Sequence, residues 1–131
     1  MKQYTVNDNY RDIASEVIAE HEDLHWIETS GILIDYLSSD EEKHSAGKDV
    51  YGECIRVKEV YKPYCPYDFL IVLYEPNIIH LTDDQLKILI HHELLHVGID
   101  EKDGNVKYVI NPHDIEDFRS IIDEYGLDWA R

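Results

Sequence analysis

Apolar positions recur at spacings of three and four between residues 9 and 28, at Tyr10, Ile13, Ala14, Val17, Ile18, His21 and Leu24. That period predicts a helix with one buried face, while Ser15, Glu16, Glu20, Glu22 and Asp23 fall in water. Asn7 or Asp8 is placed to cap its start, and Gly31 follows its end. Residues 32–37 form a short apolar run, read as a buried strand, and residues 50–61 are strand-like, with Tyr51, Ile55, Val57 and Val60 among charged neighbours. Residues 68–74 (Asp-Phe-Leu-Ile-Val-Leu-Tyr) are apolar on both faces, which predicts a central strand. Between these strands, 38–49 reads as a polar loop and 62–67 as a turn interrupted by Pro63 and Pro66.

A second helix is predicted from Thr82 to about Val97. Thr82 and Gln85 form a capping-box pattern, and Asp83 and Asp84 suit the positive end of the helix dipole. Leu86, Ile88, Leu89, Ile90, Leu94, Leu95 and Val97 cover nearly every face, so this helix belongs in the interior, and Gly98 is placed to stop it. Residues 101–105 read as a turn and 106–110 as a short strand. Asn111-Pro112-His113-Asp114 opens a last helix over 115–125, ended by Gly126. The expected fold is α+β, one domain over residues 1–131. A small mixed or antiparallel sheet packs on the N-terminal helix and the central helix, with a C-terminal helix after them.

Charge narrows the function. The 131 residues carry 28 acidic and 12 basic side chains, a formal net charge of −16. Such a field repels phosphates, which argues against nucleic-acid binding through them and permits basic substrates. Cys54 and Cys65 fit no Cys-x-x-Cys metal pattern. The first residues contain no apolar segment of the signal-peptide kind, and no apolar run approaches the ~20 residues of a membrane span. The expected location is the cytoplasm, away from membranes; the oligomeric state is not legible.

The central helix carries the chemistry. His92-Glu93-Leu94-Leu95-His96 is a His-Glu-x-x-His motif. The i, i+4 spacing places two imidazoles on one face, and the Glu between them reaches a water rather than the metal. Burying these three polar groups without partners would cost several kcal/mol, on the order of 1–3 for each. A metal ion supplies the missing partner. His91, about 100° around the helix from His92, points elsewhere and is read as structural. A second match, His21-Glu22-Asp23-Leu24-His25, lies on a solvated face with a charge inside the motif. Its histidines are read as boundary residues of an amphipathic helix.

Zinc hydrolases commonly use three protein ligands and keep a position for water. Asp100, Glu101, Asp103, His113, Glu116 and Asp117 are the downstream candidates. His113 is preferred, because it follows a turn and a returning strand and its backbone is fixed by Pro112. Asp114 and Asp117 are near enough to orient its other ring nitrogen. Tyr108, Tyr125, His80 and Lys102 are candidates for stabilising an oxyanion, the two tyrosines foremost.

The segment from Asp68 to Asp128 resembles the putative phage metallopeptidase family, a minimal zincin group. The matching residues are Asp68-Phe69-Leu70-Ile71-Val72, Tyr74, His92-Glu93-Leu94-Leu95-His96-Val97 and His113-Asp114-Ile115-Glu116-Asp117-Phe118. More distantly the chain resembles SprT-like zinc peptidases; it lacks the longer histidine motif of metzincins. The resemblance implies a zincin-like fold encoded by a phage or prophage, one zinc per chain on His92, His96 and His113, and Glu93 as catalytic acid/base. The implied reaction is peptide-bond hydrolysis by Glu-assisted attack of a zinc-bound water. An edge strand from residues 50–75 would receive a peptide or protein substrate. Two alternatives remain: a zincin-like binding protein without catalysis, and an acidic DNA mimic acting on a host defence nuclease.

Overall fold

The strand expected to be central is central. A computed structural model of the chain describes residues 3–112 together with Glu124 and Tyr125. In it β6 (Phe69–Tyr74) lies inside a four-stranded sheet of order β1 (Tyr4–Val6), β2 (Ile34–Ser39), β6, β5 (Gly52–Arg56). β2 runs parallel to β6, with Ile34 opposite Phe69; β1 and β5 run antiparallel to their neighbours. Phe69, Ile71 and Leu73 are fully buried, as a strand covered on its core face requires. The architecture is α+β.

The first helix is interrupted. α1 (Asp8–Glu20) is capped by the Asn7 side chain, which accepts from Tyr10 N at 3.1 Å. It stops at His21, whose backbone is extended (φ −126°, ψ 109°). A short 3₁₀ turn (Glu22–Leu24) and α2 (His25–Thr29) complete the segment predicted as one helix. The cause is local competition for a carbonyl. In a continued helix the His21 backbone N–H would donate to Val17 O. Here the His21 ring Nδ1 donates to that oxygen at 2.7 Å, and the backbone N–H turns to Ile18 O at 3.4 Å. Tyr10, Ala14, Val17 and Ile18 form the buried face, as the periodicity predicts, and pack with Leu24, Ile27 and the sheet residues.

One hairpin lies within the predicted loop at 38–49, and a second is built on the predicted turn at 101–105 and strand at 106–110. β3 (His44–Ser45) and β4 (Lys48–Asp49) are joined by Ala46-Gly47; β7 (Val97–Lys102) and β8 (Asn105–Ile110) are joined by Asp103-Gly104. All four linking residues have positive φ, between 52° and 77°. Positive φ at both loop positions is the turn whose twist matches that of paired strands. α3 (Glu75–Ile78) accommodates Pro76 in its first turn, where no N–H is needed.

α4 (Asp83–Leu94) starts with the full capping box: Gln85 N donates to Thr82 Oγ1 at 3.2 Å and Thr82 N to Gln85 Oε1 at 2.8 Å. It ends three residues before the expected Val97. Leu95 and His96 form a turn, in which His96 N donates to Glu93 O at 3.1 Å, and Gly98 lies inside β7. Gly98 therefore does not stop the helix. α4 packs against α1 and β5, burying Ile88, Leu89, Ile90 and Leu94. No described helix is long and apolar enough to cross a membrane. The predicted last helix, apart from Glu124 and Tyr125, lies outside the described residues.

Candidate metal centre

α4 delivers its polar residues to different places because they leave the helix at different angles. His92, Glu93 and His96 line a cleft of about 260 Å³ closed by Gly52, Glu53 and Cys54 of β5 and by Ile110 at the end of β8. Glu93 is 3% exposed. The His92 and His96 rings lie 5.2 Å apart, centroid to centroid, inclined at 70°. Two imidazoles on one tetrahedral ion, with bonds of ~2.0–2.1 Å, hold their centroids about 5 Å apart.

The tautomer of His96 follows from its partner. Nδ1 lies 2.6 Å from the backbone oxygen of Asn111; a carbonyl only accepts, so Nδ1 carries the proton and Nε2 the lone pair. A ring nitrogen donating to a backbone carbonyl while the other is presented to a metal is the usual outer support of a zinc histidine. The Asn111 backbone N–H donates in return to His96 O at 2.7 Å. Its side-chain amide donates to Leu95 O at 3.3 Å and Val97 O at 3.1 Å. Asn111 thus fastens the turn that carries His96, and it occupies the space beside Gly98. A Cβ added at Gly98 would lie 2.8 Å from Asn111 Cγ. A side chain at Gly98 would have to displace the Asn111 amide.

β5 supplies the opposite wall. A Cβ at Gly52 would lie 2.6 Å from Leu73 Cδ2 and 3.1 Å from Val72 O, both too close, and would come into van der Waals contact with Glu93 Oε2 at 3.4 Å. Cys54 faces the same cleft. Burial, with the negative charge of Glu93 adding to it, pushes the Cys54 thiol far above the ordinary thiol range. Glu53 is paired with the Lys43 ammonium. Asn77, buried, donates to Lys43 O at 2.7 Å and Val50 O at 2.8 Å, holding the approach to β5. None of Gly52, Glu53, Cys54 and Asn111 was picked out by sequence reasoning. The nearest signal was Asn111-Pro112, read as a helix start.

The remaining candidates disperse. Asp100 and Glu101 lie exposed on β7, and Asp103 in the hairpin loop. Tyr108 on β8 packs on Phe69 at 5.8 Å between centroids. His80 lies 3.4 Å from the Tyr51 hydroxyl, and Lys102 ends β7. Tyr125 bonds His91 Nδ1 at 3.0 Å. None of these lines the cleft. His113, Asp114, Glu116 and Asp117 lie outside the described residues, but the chain leading to them is anchored at Asn111, two residues before His113. The second motif match is broken by the fold: His21 ends α1 whereas His25 begins α2 and faces Ala19 O at 3.2 Å.

The sequence profile of the family described as "Putative phage metallopeptidase" matches residues 2–131. The chain belongs to this family. Membership spans both halves of the chain, beyond the C-terminal half that carries the evident motifs. A metallopeptidase family implies a metal ion, and the paired imidazoles of His92 and His96, with the His96 tautomer held by Asn111, fit one. No curated protein and no solved structure matches the chain.

Proposed function

We propose that this member of the phage metallopeptidase family is a phage- or prophage-encoded, zinc-dependent peptidase. His92, His96 and His113 would hold the ion, and Glu93 would serve as general base and then general acid. The observation that carries this reading is a buried carboxylate flanked by two imidazoles, one of them tautomerically fixed, in an open cleft. A divalent ion bound there supplies Lewis acidity to a substrate carbonyl and makes water a better nucleophile near neutral pH.

The remaining chemistry belongs to the chain. Glu93 takes the proton of the attacking water and returns it to the leaving amine, so the peptide C–N bond breaks with a neutral amine as product. β5 and Ile110 wall the cleft, so a substrate carbonyl is brought beside Glu93. β5 is the terminal strand of its sheet, and its outer edge is placed for an extended peptide to add by backbone pairing. The net charge of −16 favours basic segments over acidic ones.

The test is Glu93→Gln, assayed for cleavage of a mixed peptide library and for metal content. Loss of cleavage with metal retained supports the reading; unchanged cleavage overturns it.

A further inference from the structure

A second group of ligand-type side chains lies around the helix from the cleft. Among the described residues, His21, His91 and Glu124 place one ligand atom each within 4.8 Å of one another. His21 comes from the end of α1, His91 from α4, and Glu124 from near the end of the chain. None of the three lines the cleft.

We propose that His21, His91 and Glu124 form a second divalent-cation site of the zinc class, which joins residues 124–125 to α1 and α4. This site is independent of the cleft reading.

The orientation of His21 is the first argument. Its Nδ1 is 2.7 Å from the Val17 carbonyl oxygen, so that nitrogen donates and Nε2 holds the lone pair of the neutral ring. Nε2 in turn lies 2.9 and 3.2 Å from the two Glu124 carboxylate oxygens. A lone pair and a carboxylate at that separation repel unless a positive charge lies between them. A proton or a metal ion meets that need, and a backbone-anchored imidazole is the usual metal-ready form.

His91 is the second. It is 2% exposed. Its Nδ1 faces the cluster, 3.0 Å from the Tyr125 hydroxyl and 3.9 Å from Glu124. Its Nε2 is buried with no hydrogen-bond partner among the described residues. Nδ1 is therefore the nitrogen that would coordinate, in exchange for its contact with Tyr125, with the ring proton then on Nε2.

Dimensions are the third. Ligand atoms on a tetrahedral ion with bonds of ~2.0–2.2 Å lie about 3.3–3.5 Å apart. To the same Glu124 oxygen, Oε2, the His21 and His91 separations of 3.2 and 3.9 Å bracket that value. The His21 and His91 ring centroids, 4.1 Å apart, would separate by about 1 Å on loading. That shift would fall on His21, whose side chain is less buried than that of His91. Two imidazoles and one carboxylate select a zinc-class ion over calcium or magnesium, which prefer all-oxygen sites.

The test is zinc binding by the full chain, by elemental analysis after dialysis and by competition with a chromogenic chelator. Four proteins are compared: wild type, His21→Gln, Glu124→Gln and the double variant His92→Gln/His96→Gln. Each of the first two variants is expected to bind about one equivalent less than wild type, or to bind it at least about tenfold more weakly. The double variant is expected to keep that equivalent. Equal zinc content and affinity in wild type, His21→Gln and Glu124→Gln overturns the proposal. Near-UV circular dichroism checks folding; if His21→Gln unfolds through loss of its bond to Val17, the surface variant Glu124→Gln decides. If the cleft holds no metal, the double variant matches wild type while Glu124→Gln still loses its ion, which separates the two readings.

Discussion

His96 donates a hydrogen bond from Nδ1 to the backbone oxygen of Asn111 at 2.6 Å, and Asn111 returns one from its own N–H to His96 O at 2.7 Å. This reciprocal pair joins the end of α4 to the end of β8. It determines which nitrogen of His96 faces the cleft, and it sets the starting point of the chain that leads to His113.

Gly98→Val is expected to break this arrangement without touching a ligand. Its side chain would enter the space filled by the Asn111 amide, whose Cγ and Nδ2 lie 2.8 and 2.9 Å from where the new Cβ would stand. Overpacking of this kind costs about 1–3 kcal/mol. Displacing Asn111 frees His96 to rotate, and loss of such outer support weakens metal binding roughly 10–100-fold. Thermal denaturation and zinc competition measure the two effects. A variant with unchanged metal affinity would show that Asn111 does not orient His96.

Gly52→Ala tests the opposite wall. The added methyl meets Leu73 and the Val72 backbone oxygen, and it comes within 3.4 Å of Glu93 Oε2. Leu73 can adjust its side chain; the Val72 carbonyl is held in the β5–β6 pairing. The expected result is a moderate loss of stability, about 1–2 kcal/mol, with a fall in kcat larger than any change in KM because the shift of β5 that relieves the Leu73 and Val72 contacts carries the new methyl toward Glu93. A change confined to KM would place Gly52 in substrate binding instead.

Much of the scaffold was legible because its signals are local. The Thr82–Gln85 capping box, the doubly apolar strand at 69–74 and the buried stripe of α1 each depend on neighbours a few residues away. The motif at 92–96 was legible for the same reason. β1 was not: Tyr4, Thr5 and Val6 are all exposed, and only pairing with Leu37, Ser38 and Ser39 makes them a strand. The break at His21 was hidden because it depends on a ring capturing the Val17 carbonyl, which periodicity does not register. Asp103-Gly104 carried a hairpin signal that was read only as a turn. The β5 wall could not be read, since Gly52 and Cys54 reach Glu93 only through the register of β5 on β6.

The two cysteines should differ in reactivity. Cys54 lies in the cleft with its thiol pushed up by burial and by Glu93, so its thiolate fraction at neutral pH is far below that of an ordinary thiol. Alkylation proceeds through the thiolate. Iodoacetamide at neutral pH is expected to label Cys65 well before Cys54, with the difference lost in denaturant, as peptide mass mapping would show. Glu93→Gln removes one of the two causes and should speed labelling of Cys54. Preferential labelling of Cys54 in the native protein would contradict the buried environment assigned to it.

Metal removal should lower stability in proportion to occupancy. An ion that binds only the folded chain stabilises it by RT ln(1 + [L]/Kd), about 2.7 kcal/mol when free ion is at 100 times Kd. The cleft joins the end of α4 to the segment after β8, so its ion would stabilise long-range contacts and not a single helix. Dialysis against a chelator is expected to reduce Tm by several degrees, and added zinc should restore it in a concentration-dependent way. His92→Gln/His96→Gln should lose the cleft's share of that shift while keeping the share contributed by His21, His91 and Glu124. A Tm insensitive to chelator in wild type would mean that neither set of imidazoles holds a metal tightly enough to matter for folding.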